Sequence, residues 1–537
     1  MPKTKKILKR IAAAVSAASM ISTLAISTYA ATEERLIGYL GDLNGDMAVD
    51  LTDVSLLSDH LLTQQPLTDA AAAFRADLNC DQRLDARDFT LLKRIVLGQA
   101  EPEGLYEEVE VPEPELIPPP IKVVNPTLPS VGETNILMFV VDFPDCRRGN
   151  SFTAEEILTR TFGPEDKNDE SYPLESIRAY YERASYNRLH MNGDVFLYEA
   201  KENIENYINY PKIYTDANGV QHEEANYDGT DKLLNEIMYA YDSQIDFKKY
   251  DADGNRIIDT ILLALPEGAG EDHWWPASGA YYGRRYFDGV KGGNLCFGGW
   301  DLKDRAGFNS TWTHELGHAM GLPDYYRYVN YQNTAEDEYG RGLSGDAGWL
   351  MMDDAMGDMS AFDKLMYGWY TNAEVQVYTG GTQTFTLQSS EYAPNCLLIP
   401  RGDIINYYSE YFIVESITPD VNNTRGTSYQ QLFPLFRDSG IRILHCDAEI
   451  EYEGWWGPEL KWNNYGLNYD DSNTRQRVLR LVNNFGGLFH AGDLINNSVK
   501  GFAWYDQSGY QTVDPNISIT VDSYQNGTAV VTVAPKG

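Results

Sequence analysis

Apolar positions along the chain recur with different periods, and each period predicts a different element. Ile11 to Ile26 is a nearly continuous apolar run, preceded by Lys3, Lys5, Lys6, Lys9 and Arg10 and followed by Thr28-Tyr29-Ala30. That order predicts a secretory signal peptide over residues 1–30, cleaved after Ala30. Ser16, Ser19, Ser22 and Thr23 interrupt the run and leave it short for a membrane span. Val54–Leu62 and Phe89–Leu97 carry apolar residues at helical spacing, Ile136–Val141 reads as a strand, and Ile257–Leu265 is a buried run of core length. After Trp369 the runs become short and alternating: Thr382–Leu387, Tyr411–Ser416 and Ile441–His445. Ile517–Val521 and Thr528–Val533 flank Asn526-Gly527, a two-residue hairpin signal. The expected organisation is a signal peptide (1–30), a repeat-bearing α module (33–99), a linker (100–130), an α+β domain (131–370) and a β-rich C-terminal domain (371–537), the last a sandwich. The linker rests on eight prolines between Pro102 and Pro129 set among glutamates, a composition that stiffens and extends a chain.

Composition narrows the functions. The 537 residues hold 43 Lys+Arg against 79 Asp+Glu, a net charge of −36. Such a surface repels phosphate backbones, so nucleic acid is not an expected partner. No other apolar stretch reaches the length of a membrane span, so none is expected once the signal is removed. The five cysteines are scattered, which argues against a disulfide framework.

Residues 42–53 and 77–88 align position by position at an offset of 35. Oxygen-bearing side chains fall at positions 1, 3, 5, 9 and 12 of each: Asp42, Asn44, Asp46, Asp50 and Asp53, then Asp77, Asn79, Asp81, Asp85 and Asp88. This is the spacing with which a twelve-residue loop wraps one Ca2+, position 7 adding a backbone carbonyl. Each loop runs into a predicted helix, with little room for a helix before the first. Two such loop–helix units beside a Pro/Glu linker resemble type I dockerins. The resemblance implies docking to a cohesin module of a scaffoldin, in an extracellular, cellulosome-type assembly on a bacterium. It further implies that positions 10 and 11 touch cohesin; these are Leu51-Thr52 and Ala86-Arg87, which differ between repeats. Position 6, often glycine, is Met47 and Gln82.

The sharpest chemical motif is Thr313-His314-Glu315-Leu-Gly-His318-Ala-Met-Gly321-Leu-Pro-Asp324. Histidines at i and i+4 share one helical face and can reach one Zn2+. Glu315, beside the first histidine, is placed to act as general base toward a water. Gly321 permits a sharp turn that returns Asp324 as third ligand; Glu336 or Glu338 would be the alternatives. The extended motif resembles metzincin-like peptidases. Together with Gly348-Trp349-Leu350-Met351-Met352, Leu137–Pro144 and Ser176–Tyr186, it resembles the immune inhibitor A type in particular. That resemblance implies an exported zinc metalloendopeptidase with a zincin-like α+β catalytic domain acting on protein or peptide substrates, with Met352 as the Met-turn residue. Leu350 stands where that family has aspartate.

A weaker pattern is Asp251-Ala-Asp253-Gly-Asn255-Arg-Ile-Ile-Asp259, which repeats calcium positions 1, 3, 5 and 9 but has Leu262 at position 12. It is either a partial calcium site completed elsewhere or a polar turn. Dockerins also accompany carbohydrate-active enzymes, and a catalytically silent binding module on a scaffold is the third reading. Neither accounts for the histidine pair.

Overall fold

The computed structural model describes residues 32–63, 65–110, 127–208, 212–215, 221–224, 229–269, 274–280, 285–299, 301–326, 348–402, 407–428, 431–451, 459–462, 476–483 and 487–536. The expected signal peptide, Glu336 and Glu338 lie outside them. The chain divides into two compact units, residues 1–115 and 116–537.

In the first unit, β1 (Thr32–Tyr39) precedes three helices, α1 (Leu51–Leu61), α2 (Ala70–Ala76) and α3 (Ala86–Val96), and β2 (Gly104–Glu110) follows them. Asp50, Asp69 and Asp85 are the N-caps, each accepting amide hydrogens that the first helical turn leaves unpaired. Leu43, Leu57, Ala76 and Leu92 form the small core. The α2 helix, which the sequence pattern did not predict, buries Ala72 and Ala76 one turn apart. Strands β1 and β2 pair antiparallel from Thr32↔Glu110 to Tyr39↔Gly104. Residues 36–40 are therefore largely strand. The start of the segment read as an extended linker is likewise strand, because the proline run begins only at Pro112 and leaves 104–110 free to donate amides.

The second unit begins with a five-stranded mixed sheet. Its elements are β3 (Gly132–Asp142), α4 (Ala154–Phe162), α5 (Ile177–Ala184), β4 (Leu189–Glu199), α6 (Gly229–Tyr241), β5 (Ile261–Leu265), β6 (Ala277–Ala280), β7 (Asn294–Gly299) and α7 (Arg305–Ala319). The strand order is β4-β3-β5-β7-β6, parallel except for the edge strand β6. Alternate residues of β3 enter opposite cores. Ile136, Met138 and Val140 pack with α4, α5 and α7, while Leu137, Phe139 and Val141 pack with α6. Both faces are covered, which is why β3 and β5 read as unbroken apolar runs.

The chain continues through α8 (Ala361–Met366) into two antiparallel-rich sheets. The first holds β8 (Val375–Val377), β10 (Cys396–Pro400), β11 (Glu410–Ile417), β12 (Gly440–Asp447) and β13 (Leu479–Leu481), in that order. The second runs β9 (Gln383–Gln388), β16 (Thr528–Pro535), β15 (Ile517–Gln525) and β14 (Leu494–Ile495). Leu397, Phe412, Val414 and Ile443 of the first sheet share a core with Leu387, Ile519, Val521 and Val531 of the second, as in a sandwich. The outer face of the first sheet is buried too: Leu398, Ile413, Leu444 and Leu479 join the core that contains α5 and α7. Residues 131–370 and 371–537 thus share one core, with no packing break near residue 370. Among the described residues no helix is long and apolar enough to cross a membrane, and none of the five cysteines is in a disulfide.

Ile413→Ala, at this shared core, is expected to cost about 2–5 kcal/mol. Denaturant unfolding of the second unit should stay a single transition by tryptophan fluorescence; two separated transitions would show that 131–370 and 371–537 fold independently.

Candidate metal centre

Helix α7 starts at the Asp304 cap, whose carboxylate accepts the Gly307 amide, and runs through the core almost fully covered. Its backbone is tied from outside: Tyr181 donates its hydroxyl to the Thr313 carbonyl at 2.6 Å, and Tyr367 donates to the Gly317 carbonyl at 2.8 Å. At its end, the amides of Thr127 and Leu128 donate to the Ala319 carbonyl, both at 3.1 Å. The last residues of the predicted linker therefore satisfy an end-of-helix carbonyl that would otherwise be open. Gly321 turns the chain at φ +109°, a region that L side chains rarely enter.

That turn returns Asp324 to the histidines. His314 Nε2 lies 2.9 Å from Asp324 Oδ1, His318 Nε2 lies 3.1 Å from the same oxygen, and the two Nε2 atoms are 3.2 Å apart. An ion held by bonds of about 2.0–2.1 Å in tetrahedral geometry keeps its ligand atoms about 3.3 Å apart. The opposite ring nitrogens are fixed: His314 Nδ1 donates to the Met351 carbonyl and His318 Nδ1 to the Leu322 carbonyl, both at 2.7 Å. In the neutral tautomer each Nε2 then presents a lone pair, so three acceptors converge on one buried point. Such a cluster needs a cation or a proton. Burial works to lower the His318 pKa, but the Asp324 carboxylate outweighs it and lifts the value to about 9. Burial likewise works to raise Asp324, yet the bonds from His314 and His318 hold it far below the usual carboxylate range. The donor set, two imidazoles and one carboxylate, fits Zn2+.

Glu315 lies on the same helix, nearly inaccessible. Burial raises its pKa against the opposing pull of His314 and His318, and its Oε2 has no hydrogen-bond partner. Met352 packs beneath the helix: a Cβ added at Gly317 would sit 2.3 Å from the Met352 sulfur. Its carbonyl accepts the Tyr325 amide at 2.8 Å, and the Tyr325 hydroxyl donates to Asp363, which caps α8. Tyr181 lies in the Ser176–Tyr186 segment, but its bond to the α7 backbone, that of Tyr367 and the carbonyls of Met351 and Leu322 were beyond sequence reasoning, because contacts with backbone groups leave no motif. His445 pairs with Glu410 and His490 with Asp438, away from this cluster.

In the first unit both repeats form the expected loops. Asp42 Oδ2 accepts the Met47 amide and Asp77 Oδ2 the Gln82 amide. Asp53 and Asp88 are buried and accept the amides of Asp50 and Asp85. Met47 and Gln82 adopt φ of 68° and 66°, so the left-handed turn is kept without glycine at about 1–2 kcal/mol each. Leu51, Thr52, Ala86 and Arg87 are all exposed, but differently. Leu51 is 72% exposed, whereas Arg87 is held by Asp85 at 2.7 Å and Asp81 at 3.2 Å. In the second unit Asp251, Asp253 and Asp259 are brought together, with Asn255 in the same loop.

A family model described as the dockerin type I domain matches residues 40–97. That segment is a type I dockerin domain, a calcium-binding module that indicates docking to cohesin in an extracellular, cellulosome-type assembly. No curated protein matches the chain.

Gly317→Ala is expected to cost about 1–3 kcal/mol through its clash with Met352. Thermal melting and zinc content of the purified variant check this; unchanged values would remove Met352 from the support of the helix.

Proposed function

We propose that the protein is a zinc metalloendopeptidase of the immune inhibitor A type, carried to a scaffoldin by its dockerin. The observation that carries the reading is the convergence of His314 Nε2, His318 Nε2 and Asp324 Oδ1 beside a buried glutamate with an unpaired oxygen. His314, His318 and Asp324 would hold Zn2+, which supplies Lewis-acid polarisation of a carbonyl and lowers the pKa of a water toward about 7. Glu315 accepts the proton of the attacking water and delivers it to the departing amine nitrogen. Burial favours this role, since a carboxylate with raised pKa holds the proton long enough to pass it on. Met351 and Leu322 orient the imidazoles through their carbonyls, and Met352 fills the space below Gly317. An export signal at residues 1–30 agrees with a dockerin-bearing protein.

Glu315→Ala is expected to retain its zinc and fold while casein cleavage falls about 10²–10⁴-fold. Undiminished cleavage would remove the proposed base. Hydrolysis of plant polysaccharides that survives in this variant and in chelator would favour a carbohydrate-active enzyme instead.

A cohesin should be captured by the wild-type chain in Ca2+ and released by chelator. Capture that persists in Leu51→Asp but is lost in Arg87→Glu would assign the contact to the second repeat; the reverse assigns it to the first.

A further inference from the structure

The loop at 251–259 shares left-handed backbone positions and two hydrogen bonds with the dockerin loops, but Asp251 Oδ1 receives no amide, whereas Asp42 Oδ1 accepts from Gly45 and Asp46 and Asp77 Oδ1 from Asp81. At position 4, Gly45, Cys80 and Gly254 have φ of 79°, 58° and 72°; at position 6, Met47, Gln82 and Arg256 have 68°, 66° and 71°. In all three the first aspartate accepts the position-6 amide through Oδ2, from Met47, Gln82 and Arg256 in turn. In all three the fifth side chain accepts the position-7 amide: Ala48 to Asp46, Arg83 to Asp81, Ile257 to Asn255.

The difference lies in closure. In the first dockerin loop the buried acid of position 12, Asp53, accepts the position-2 amide of Leu43 at 2.7 Å. Here Leu262 of position 12 is a buried residue of β5 and offers no ligand. Asp259, at position 9, accepts the position-2 amide of Ala252 at 3.0 Å instead. Asp259 is fully buried, unlike the exposed position-9 residue Asp50. Its Oδ1, and that of Asp251, are shielded from solvent without a hydrogen bond. Ligand oxygens of Asp251, Asp253 and Asp259 lie within 4.8 Å of one another.

We propose that Asp251, Asp253, Asn255 and Asp259 hold a third Ca2+, in a loop closed three residues early, with Asp259 taking the part of the twelfth-position acid. Hard oxygen donors and a flexible loop suit this cation. Its place in the fold is defined: the Asp259 amide donates to the Tyr250 carbonyl at 2.8 Å, and Ile257–Ile258 pair in parallel with Lys291–Gly292. The ion would therefore pin the entry to β5, the middle strand of the mixed sheet.

The site is independent of the zinc reading and is tested by counting calcium. The full-length chain is equilibrated with Ca2+ and assayed by metal analysis and calorimetric titration. Wild type should bind three Ca2+ per chain. Asp253→Asn, at an exposed side chain, should bind two, as should Asp259→Asn. Asp53→Asn combined with Asp88→Asn should still bind one. Two Ca2+ per chain in both wild type and Asp253→Asn would overturn the proposal. If Asp259→Asn fails to fold, Asp253→Asn still decides, through at least a tenfold loss of affinity for the third ion.

Discussion

Two imidazole lone pairs and a carboxylate oxygen cannot share one buried point unless a positive charge stands among them. In a low-dielectric interior three converging acceptors repel, and a proton on His318 or a metal ion is what relieves them. Much of the surrounding structure keeps this arrangement in place. The carbonyls of Met351 and Leu322 hold each ring by its other nitrogen, Gly321 returns Asp324, and Tyr181 and Tyr367 grip the helix backbone between and beside the histidines. Met352 fits against Gly317 because no side chain intervenes there. The proposed peptidase chemistry is a consequence of that preorganisation.

Acid clusters in the loops obey the same rule with harder ligands. Backbone amides lend partial positive charge to Asp42, Asp77 and Asp251, but amides alone leave one buried oxygen unpaired on each of Asp251 and Asp259. In the dockerin the acids serve twice, since Asp50 and Asp85 also cap helices and Asp53 and Asp88 complete the reciprocal caps. Ion binding and helix formation are therefore coupled in that unit. The loop of the second unit uses Asp259 to lead into a strand, so the same first half of a loop serves a different kind of element.

Attachment and the proposed hydrolysis belong to separate compact units. Among the described residues the dockerin core is a small cluster around Leu43, Leu57, Ala76 and Leu92, so ions and caps carry much of its stability. The second unit is large enough to bury both faces of its mixed sheet and both faces of the first sandwich sheet. The β-rich segment is consequently a wall of the same core that holds α7, and not a detachable module.

Local signals in the chain were sufficient for the dockerin loops, the strand at 136–141, the terminal hairpin and the histidine pair with its glutamate. Each depends on residues a few positions apart, where helical period, loop stereochemistry or a two-residue turn decides the geometry. The β1–β2 pairing, the anchoring of residues 127–128 on α7 and the merging of 131–370 with 371–537 were not legible. They depend on backbone groups and sheet faces meeting across long stretches of chain, and a carbonyl or a second buried face has no residue code of its own. Asp259 shows the boundary between the two. Its spacing from Asp251 was visible, but only burial against β5 decided that it would close the loop in place of a twelfth-position acid.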